Sequence, residues 1–533
     1  MSLVKKFVTV GGGTLGSRLM GFGREMLMAA ALGTGPMAEA FMAAFKFPNL
    51  FRRLFAEGAF NAAFVPLFAK EIEAGGMEGA KRFSEEVFGV LFTVLLGLTI
   101  VMELAMPLLM RTIIAPGFSG DKYDVTVRLA VIMFPYLACM SLTAMLSGML
   151  NSLHHYFAAA IAPIFFNIAM IGALVYGLWM DSDAITIAYY LAWAVLVAGL
   201  LQILVLYVGV RFAGMSIGFR RPHLTPGVKR LLLLAFPAAV TGGIQQINLI
   251  IGQAIASLKE GAIASLQYAD RIYQLPLGVV GVAVGVVLLP ELARALKGGH
   301  RAEADNLQNR SIEFALFLTL PAAAGIFALA PDIIRLVYER GAFRPEATAT
   351  VAAVLTLFGF GLPGFVLNKA LTPGFFARED TKTPMRFTMM SMVFNTVLSV
   401  SLFPILAERG IALAETLAGW LTVVLLFYTL RKRGHLTIER SLVSRVIRMM
   451  IASVIMAAAA RYGANYFSAS LSSSATSLEQ AAVLLPLIAA AFFLYLVIVF
   501  AIGGADIGMI RRSLKRGRGK PAVADKMDGD IQP

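Results

Sequence analysis

The sequence predicts an all-α polytopic membrane protein of about 14 transmembrane helices, arranged as two six-helix lobes in a V-like arrangement plus a C-terminal helix pair. Three observations carry this. Of 533 residues 58% are hydrophobic and only 15% charged, with a mean hydropathy of +0.76, more apolar surface than a water-soluble fold of this size hides. The apolar runs recur at lengths near 20 residues and are continuous rather than alternating, which suits helices crossing about 30 Å of hydrocarbon and not a β-barrel. The basic residues sort to alternate loops.

In chain order the crossings are expected at 8–32, 38–66, 84–110, 125–149, 157–179, 184–208, 228–256, 263–290, 312–336, 347–371, 385–406, 411–430, 444–466 and 481–503. Of the 46 Lys and Arg residues, 31 fall at one set of ends, beginning with Lys5 and Lys6 and continuing through 69–82, 209–230, 291–310, 372–386, 431–448 and the tail. Only 8 fall at the other ends and 7 lie inside spans. The positive-inside bias places the charge-rich side, and both termini, in the cytoplasm.

Five segments follow: a first lobe at 1–208, a linker at 209–226, a second lobe at 227–430, an extra helix pair at 444–503 and a basic tail at 504–533. In the linker, Phe212, Met215, Ile217 and Phe219 mix with Arg211, Arg220 and Arg221, as in a short amphipathic element on the cytoplasmic surface or a solvated connection. The tail carries RRSLKRGRGK at 511–520, suited to anionic lipid. Phe166-Asn167 echoes Phe394-Asn395, Pro66 echoes Pro290, and the glycine pairs 75–76 and 298–299 follow the second span of each half. Six-span halves offset by six spans form a parallel repeat.

Several functions are disfavoured. No Gly-rich loop ends in GK[ST], so the chain carries no recognisable ATPase engine. The five histidines form neither a metal constellation nor part of a Ser-His-Asp triad. Basic residues are scattered among apolar runs without a nucleic-acid motif. Arg18 and Arg24 interrupt the first apolar run and no cleavage site stands out, unlike a signal peptide. The single Cys139 reads as packing.

The informative residues are charges inside the membrane. Arg18, Arg24, Arg52 and Arg53 lie in or against the first two spans, and Arg271 stands beside Asp270 in the eighth. A mid-bilayer arginine facing lipid costs about 2.5 kcal/mol or more, so these face protein or water. Arginine presents a fixed fork of paired donors suited to phosphate or pyrophosphate. The alternative is internal pairing with Glu25, Glu39, Glu57 or Asp270, and Arg53 also lies within reach of the interface. Pro48 marks an expected kink.

The stretches GSRLMGFGRE at 16–25, FKFPNLFRRLFAEGAFNAAFVPLF at 45–68, QYADRIYQLPLGVVGVAVGVVLLP at 267–290 and LTPGFFAREDTKTP at 371–384 resemble the MurJ (MviN) family of bacterial lipid II flippases, within the superfamily of multidrug, oligosaccharidyl-lipid and polysaccharide exporters. The resemblance covers residues 1–505. It implies that lipid II is moved between leaflets of the inner membrane by alternating access, with membrane lipids and peptidoglycan-synthesis proteins as partners. It also implies that Arg18, Arg24, Arg52 and Arg271 bind the pyrophosphate-linked headgroup. Ser17, Glu39, Arg53, Glu57 and Asp270 become candidates for binding or gating, Glu39 standing where the family pattern has aspartate. The helix pair 444–503 is expected to form a groove for the polyprenyl tail. Some members resemble sodium-coupled carriers. The matching region here offers Asn248, Asn395, Thr396, Ser399 and Glu415, without an aspartate in the eleventh span, so membrane potential, sodium and protons all stand as coupling candidates and no cofactor is implied. A flippase for another undecaprenyl-linked oligosaccharide and a multidrug exporter are the alternative functions.

Overall fold

The computed structural model describes residues 3–52 and 60–505, excepting the side chains of 3–15, 51, 52, 62, 237–245 and 279–287. Among the described residues the fold is all helical. The first lobe contains α1 (Leu3–Leu32), α2 (Pro36–Arg52), α3 (Phe60–Leu109), a π turn (Met110–Ile114), α4 (Gly120–Met133), α5 (Tyr136–Ser152), α6 (Tyr156–Trp179) and α7 (Ala184–Phe212). The second contains α8 (Pro226–Ala256), α9 (Ala262–Lys297), α10 (Arg301–Tyr338), α11 (Pro345–Leu371), the short α12 (Pro373–Phe376), α13 (Lys382–Leu406) and α14 (Glu408–Lys432). The pair α15 (Arg440–Tyr466) and α16 (Ser477–Ala501) packs on α10.

Ten stretches among the described residues are long and apolar enough to cross a membrane; α1, α2, α8 and α9, which overlap the ranges expected for the first, second, seventh and eighth crossings, are not among them. Large apolar side chains such as Leu104, Trp179, Phe236 and Phe493 stand exposed on outer faces, an arrangement that hydrocarbon accepts and water penalises. Cys139 is buried against the face of Gly199, so it packs.

Two loops expected between crossings are helical almost throughout. The chain reverses inside α3 at Gly76 (φ 63°, ψ −159°), and between α9 and α10 at Gly299 (φ 75°). Glycine reaches positive φ without the clash a Cβ would bring, so each glycine pair closes a tight turn between long helices. Pro48 is accommodated inside α2, which continues to Arg52. The expected fourth span divides into α4 and α5 around Pro135.

Within the linker, residues 215–225 form no helix. Gly214 (φ 83°), Gly218, Pro222 and Pro226 disfavour one. Instead the strand-like segment is strapped to α3. Glu85 Oε1 accepts the Gly218 N–H at 3.1 Å, and Glu86 accepts the Thr225 hydroxyl at 3.0 Å. Phe219 sits edge-on to Phe88 and Phe92.

The largest hydrophobic core spans both lobes, with Met28, Leu32 and Phe41 of the first joined to Tyr268, Tyr338 and Phe343 of the second. A second core ties α10, α11 and α14 to α15 and α16. A third binds α3 and α5 to the linker and the start of α8 through Met215 and Val228. The pair is also anchored electrostatically, Arg445 Nη1 donating to both oxygens of the buried Glu313 at 3.0 and 2.9 Å.

The LTPGFFAREDTKTP stretch forms a knot between α11, α12, α13 and α14. Asp380 accepts the Thr383 N–H at 3.0 Å and its hydroxyl at 2.7 Å, then pairs with Arg433 of α14 at 2.6 Å. These donors hold the Asp380 carboxyl down at about 2.

Candidate functional site

The lobes close on each other at the charge-poor end. Ala342 N–H donates to the Ala30 carbonyl at 2.8 Å, the Tyr268 hydroxyl to the Gly33 carbonyl at 3.0 Å, and Gly117 N–H to Ser257 Oγ at 3.0 Å. Glu39, fully buried on α2, accepts the Ile263 N–H at 2.8 Å and Lys122 Nζ at 2.5 Å. Its carboxylate meets the first turn of α9, where free backbone N–H groups favour an anion. Backbone approaches are so close that a Cβ on Gly117 would collide with the Ser257 carbonyl and one on Gly341 with the Ala30 carbonyl.

Towards the charge-rich side from this seal lies the basic centre. Glu25 of α1 is 3% exposed. Its Oε1 accepts a hydrogen bond from Arg24 Nη2 at 2.7 Å and stands in ion-pair contact with Arg271 Nε at 3.3 Å, too poorly aligned for a hydrogen bond. Arg24 also donates to Asn167 Oδ1 at 3.3 Å and lies over the Phe166 ring at 5.2 Å. One carboxylate thus gathers a guanidinium from each lobe, leaving net charge +1. Among the described residues Glu25 Oε2 has no hydrogen-bond partner. Arg18 is exposed one side of this centre, its Nη1 3.5 Å from where a Cβ of Gly278 on α9 would stand.

The fifth helix of each half reaches its first helix through the echoed asparagine. Asn167 Nδ2 donates to the Ser17 carbonyl at 3.0 Å, and Asn395 Nδ2 donates to Asn248 Oδ1 at 3.1 Å. Asn167 thereby fixes α1 where Arg24 leaves it.

The sequence candidates therefore separate into groups. Arg18, Arg24 and Arg271 converge where α1 faces α9, with Ser17 supporting them through its backbone. The internal pairing that the sequence left open does occur for Arg24 and Arg271, with Glu25 as the shared acid. Glu39 lies at the seal and pairs with Lys122 instead. Arg52 ends α2 with its side chain outside the description, and Arg53 and Glu57 lie outside the described residues.

Asp270 lines a recess of about 300 Å³ between α2, α8, α9, α13 and α14, together with Lys46, Asn248, Arg271, Asn395 and Glu415. Thr396 and Ser399 are not on its wall. Ser399 Oγ and Asn395 Oδ1 are buried without a hydrogen-bond partner among the described residues. Such oxygens are of the kind a hard cation takes, although Ser399 is not on the wall that Asn395 shares with Glu415. Among the described residues no group of three His, Cys, Asp or Glu side chains converges on a metal position.

Sequence reasoning missed the seal. Gly33, Gly117, Gly341, Lys122, Ser257 and Tyr268 all lie in or beside the charge-poor loops. The only available signal was the glycine in each of those turns, which reads equally as ordinary loop chemistry.

Two helical lobes sealed at one end around a basic centre, with the opposite face of that centre exposed, define a membrane transporter of the multidrug and lipid-linked saccharide exporter type. An inward-facing multidrug resistance MATE family transporter of the MOP superfamily superposes with a TM-score of 0.67 over 78% of this chain and 94% of that one, at 15% identity. A structure of lipid II flippase MurJ in an inward closed conformation superposes at 0.74 over 96% of this chain and all of that one, at 23% identity. The family model described as "Lipid II flippase MurJ" matches residues 28–479, and the chain belongs to that family. A probable lipid II flippase MurJ of Rhizobium tropici is 67% identical over 98% of both chains. The lipid II flippase MurJ of Burkholderia cenocepacia is 35% identical over 81% of this chain and 85% of its own.

Proposed function

We propose that this chain flips lipid II, the undecaprenyl-pyrophosphate-linked peptidoglycan precursor, from the cytoplasmic to the periplasmic leaflet of the bacterial inner membrane by alternating access. The observation that carries this is the shared grip of Arg24 and Arg271 on one Glu25 oxygen. The two guanidinium groups come from different lobes, so an anion that competes for them acts on the lobe junction itself. Pyrophosphate offers more acceptor oxygens and more charge than a single carboxylate and binds two forks at once.

With the charge-rich side in the cytoplasm, the seal is periplasmic and Arg18 meets the headgroup first. The pyrophosphate then bridges Arg24 and Arg271, weakening their hold on Glu25. Opening of the periplasmic seal, at Glu39–Ile263 and Ala30–Ala342, follows from the altered balance between the lobes. The polyprenyl tail stays in lipid or along α15 and α16, so no apolar chain crosses the polar centre. The headgroup is an anion, and an inside-negative potential favours its outward movement by about 2.3 kcal/mol per charge per 100 mV. Peptidoglycan-synthesis proteins are the proposed suppliers and consumers. A multidrug exporter selecting organic cations fits poorly, because the centre carries an excess of arginine.

The test is leaflet-resolved translocation of labelled lipid II in proteoliposomes under an imposed inside-negative potential. Protein-dependent flipping that accelerates with the potential is expected. Absence of flipping by folded protein under potential, sodium and proton gradients would remove the assignment.

A further inference from the structure

We propose that a second copy of this chain docks on α3 and α4 within the bilayer, Glu103 of each copy pairing with Arg128 of the other about a two-fold axis along the membrane normal.

Two charges stand on the outer surface of the first lobe, apart from the basic centre. Glu103 lies half-buried in the apolar run of α3, and Arg128 lies exposed on α4. Leu104 and Leu108 beside Glu103 are 80% and 65% exposed, so this part of α3 meets hydrocarbon. Among the described residues neither charge makes an ion pair or a side-chain hydrogen bond. A lone charge facing lipid is costly, and membrane helices hold such residues against an opposite charge or in a water-filled cavity.

The two charges occupy one layer of the membrane. Glu103 is eight residues before Arg111 at the charge-poor end, and Arg128 is eight residues after Gly120, where α4 begins. At 1.5 Å per residue each is about 12 Å inside a hydrocarbon core of about 30 Å. The Tyr123 hydroxyl donates to the Pro107 carbonyl at 2.7 Å, which fixes the register of α4 against α3. From that level Glu103 is about 6 Å deeper and Arg128 about 7.5 Å deeper.

Equal depth does not make them partners within one copy. Arg128 is five residues from Tyr123, about 140° around α4 from the side chain that touches α3. Asp121 and Asp124 share its exposed face but stand nearer the aqueous end and take no ion pair from it. A two-fold axis along the membrane normal preserves depth. It sets Glu103 of one copy against Arg128 of the partner copy and forms the reciprocal pair at the same time. An apolar neighbour leaves both charges bare, and a lipid headgroup lies too near the surface to meet either. On the outward face of α3, Gly97 is exposed with nothing within 4 Å of where a Cβ would stand, giving a second helix room for close approach.

The test measures association of the full-length protein in liposomes by resonance energy transfer. Copies carry donor or acceptor at the C-terminus, and the protein-to-lipid ratio is varied. Wild type is expected to show the transfer of a dimer. Glu103→Gln and Arg128→Gln, neutral and checked for folding by thermal unfolding, weaken association about tenfold each. Glu103→Arg and Arg128→Glu, each alone, abolish it, because each homodimer then sets like charges together. Mixing those two variants restores it, since one copy supplies two arginines and the other two glutamates.

Wild type that stays monomeric at every ratio overturns the proposal and leaves the two charges to lipid or to another membrane protein. A mixture of folded charge-reversal variants that does not associate overturns it as well. Association untouched by the two neutral variants places any interface elsewhere and equally refutes it.

Discussion

Glu39 of the first lobe accepts the backbone N–H of Ile263 of the second at 2.8 Å while also holding Lys122 at 2.5 Å. One oxygen of this fully buried carboxylate, Oε1, thus has its partner only when the charge-poor ends of the lobes touch. The bond is charge-assisted and sits at a helix N-terminus, so it favours the closed seal by about 1.5–3 kcal/mol.

Glu39→Gln keeps the size and removes the charge. The expected outcome is a population shift of about tenfold towards separated charge-poor ends. Pulsed electron spin resonance distances between labels on the 111–124 and 337–346 loops would register it. An unchanged distance distribution would mean that Glu39 does not latch the seal.

Gly341→Ala tests the close backbone approach at the same end. Its φ of 59° and the facing Ala30 carbonyl both oppose a Cβ, so a loss of about 1–3 kcal/mol of closed-state stability is expected. Gly214→Ala is the control, with φ of 83° and nothing within 4 Å. It carries the backbone strain without the collision, so its spin-label distances stay those of wild type.

Glu313→Ala leaves Arg445 half-buried beside a lost partner. Thermal unfolding in detergent is expected to fall for this variant and to recover partly in Glu313→Ala/Arg445→Ala, since an unpaired charge costs more than an absent pair. Equal losses in both would show that the ion pair does not anchor α15.

His435 gives a pH dependence whose sign is fixed. Burial, then the charges of Arg378, Arg433 and Arg301, with Asp305 opposing, push its imidazole below the usual histidine value. The folded state therefore binds fewer protons than the unfolded state below about pH 6.5. Stability is expected to decline as pH falls from about 6.5 towards the lower folded value, and His435→Asn should flatten that slope. Parallel curves for the two proteins would contradict this.

The fold was legible because hydrocarbon thickness and loop charge are written locally, one crossing at a time. Arg24 and Arg271 were legible for a related reason: an arginine inside an apolar run has few acceptable neighbours. The asparagine echo was also readable, and Asn167 and Asn395 do reach the first helix of their own halves. Glu25, by contrast, was one of four available acids. Its selection over Glu39 depends on how α1 and α2 rotate against α9, which no helical periodicity encodes. The seal was invisible because Gly117 meets Ser257, and Gly341 meets Ala30, across long separations in sequence.

The most direct test of the account is leaflet-resolved lipid II translocation by Arg24→Ala and Arg271→Ala beside wild type, all shown to be folded. Loss of flipping by at least a hundredfold in each is expected, because removing either fork removes one lobe's hold on the pyrophosphate, worth about 3 kcal/mol. Wild-type rates in both variants would contradict a basic centre that carries the headgroup between the lobes.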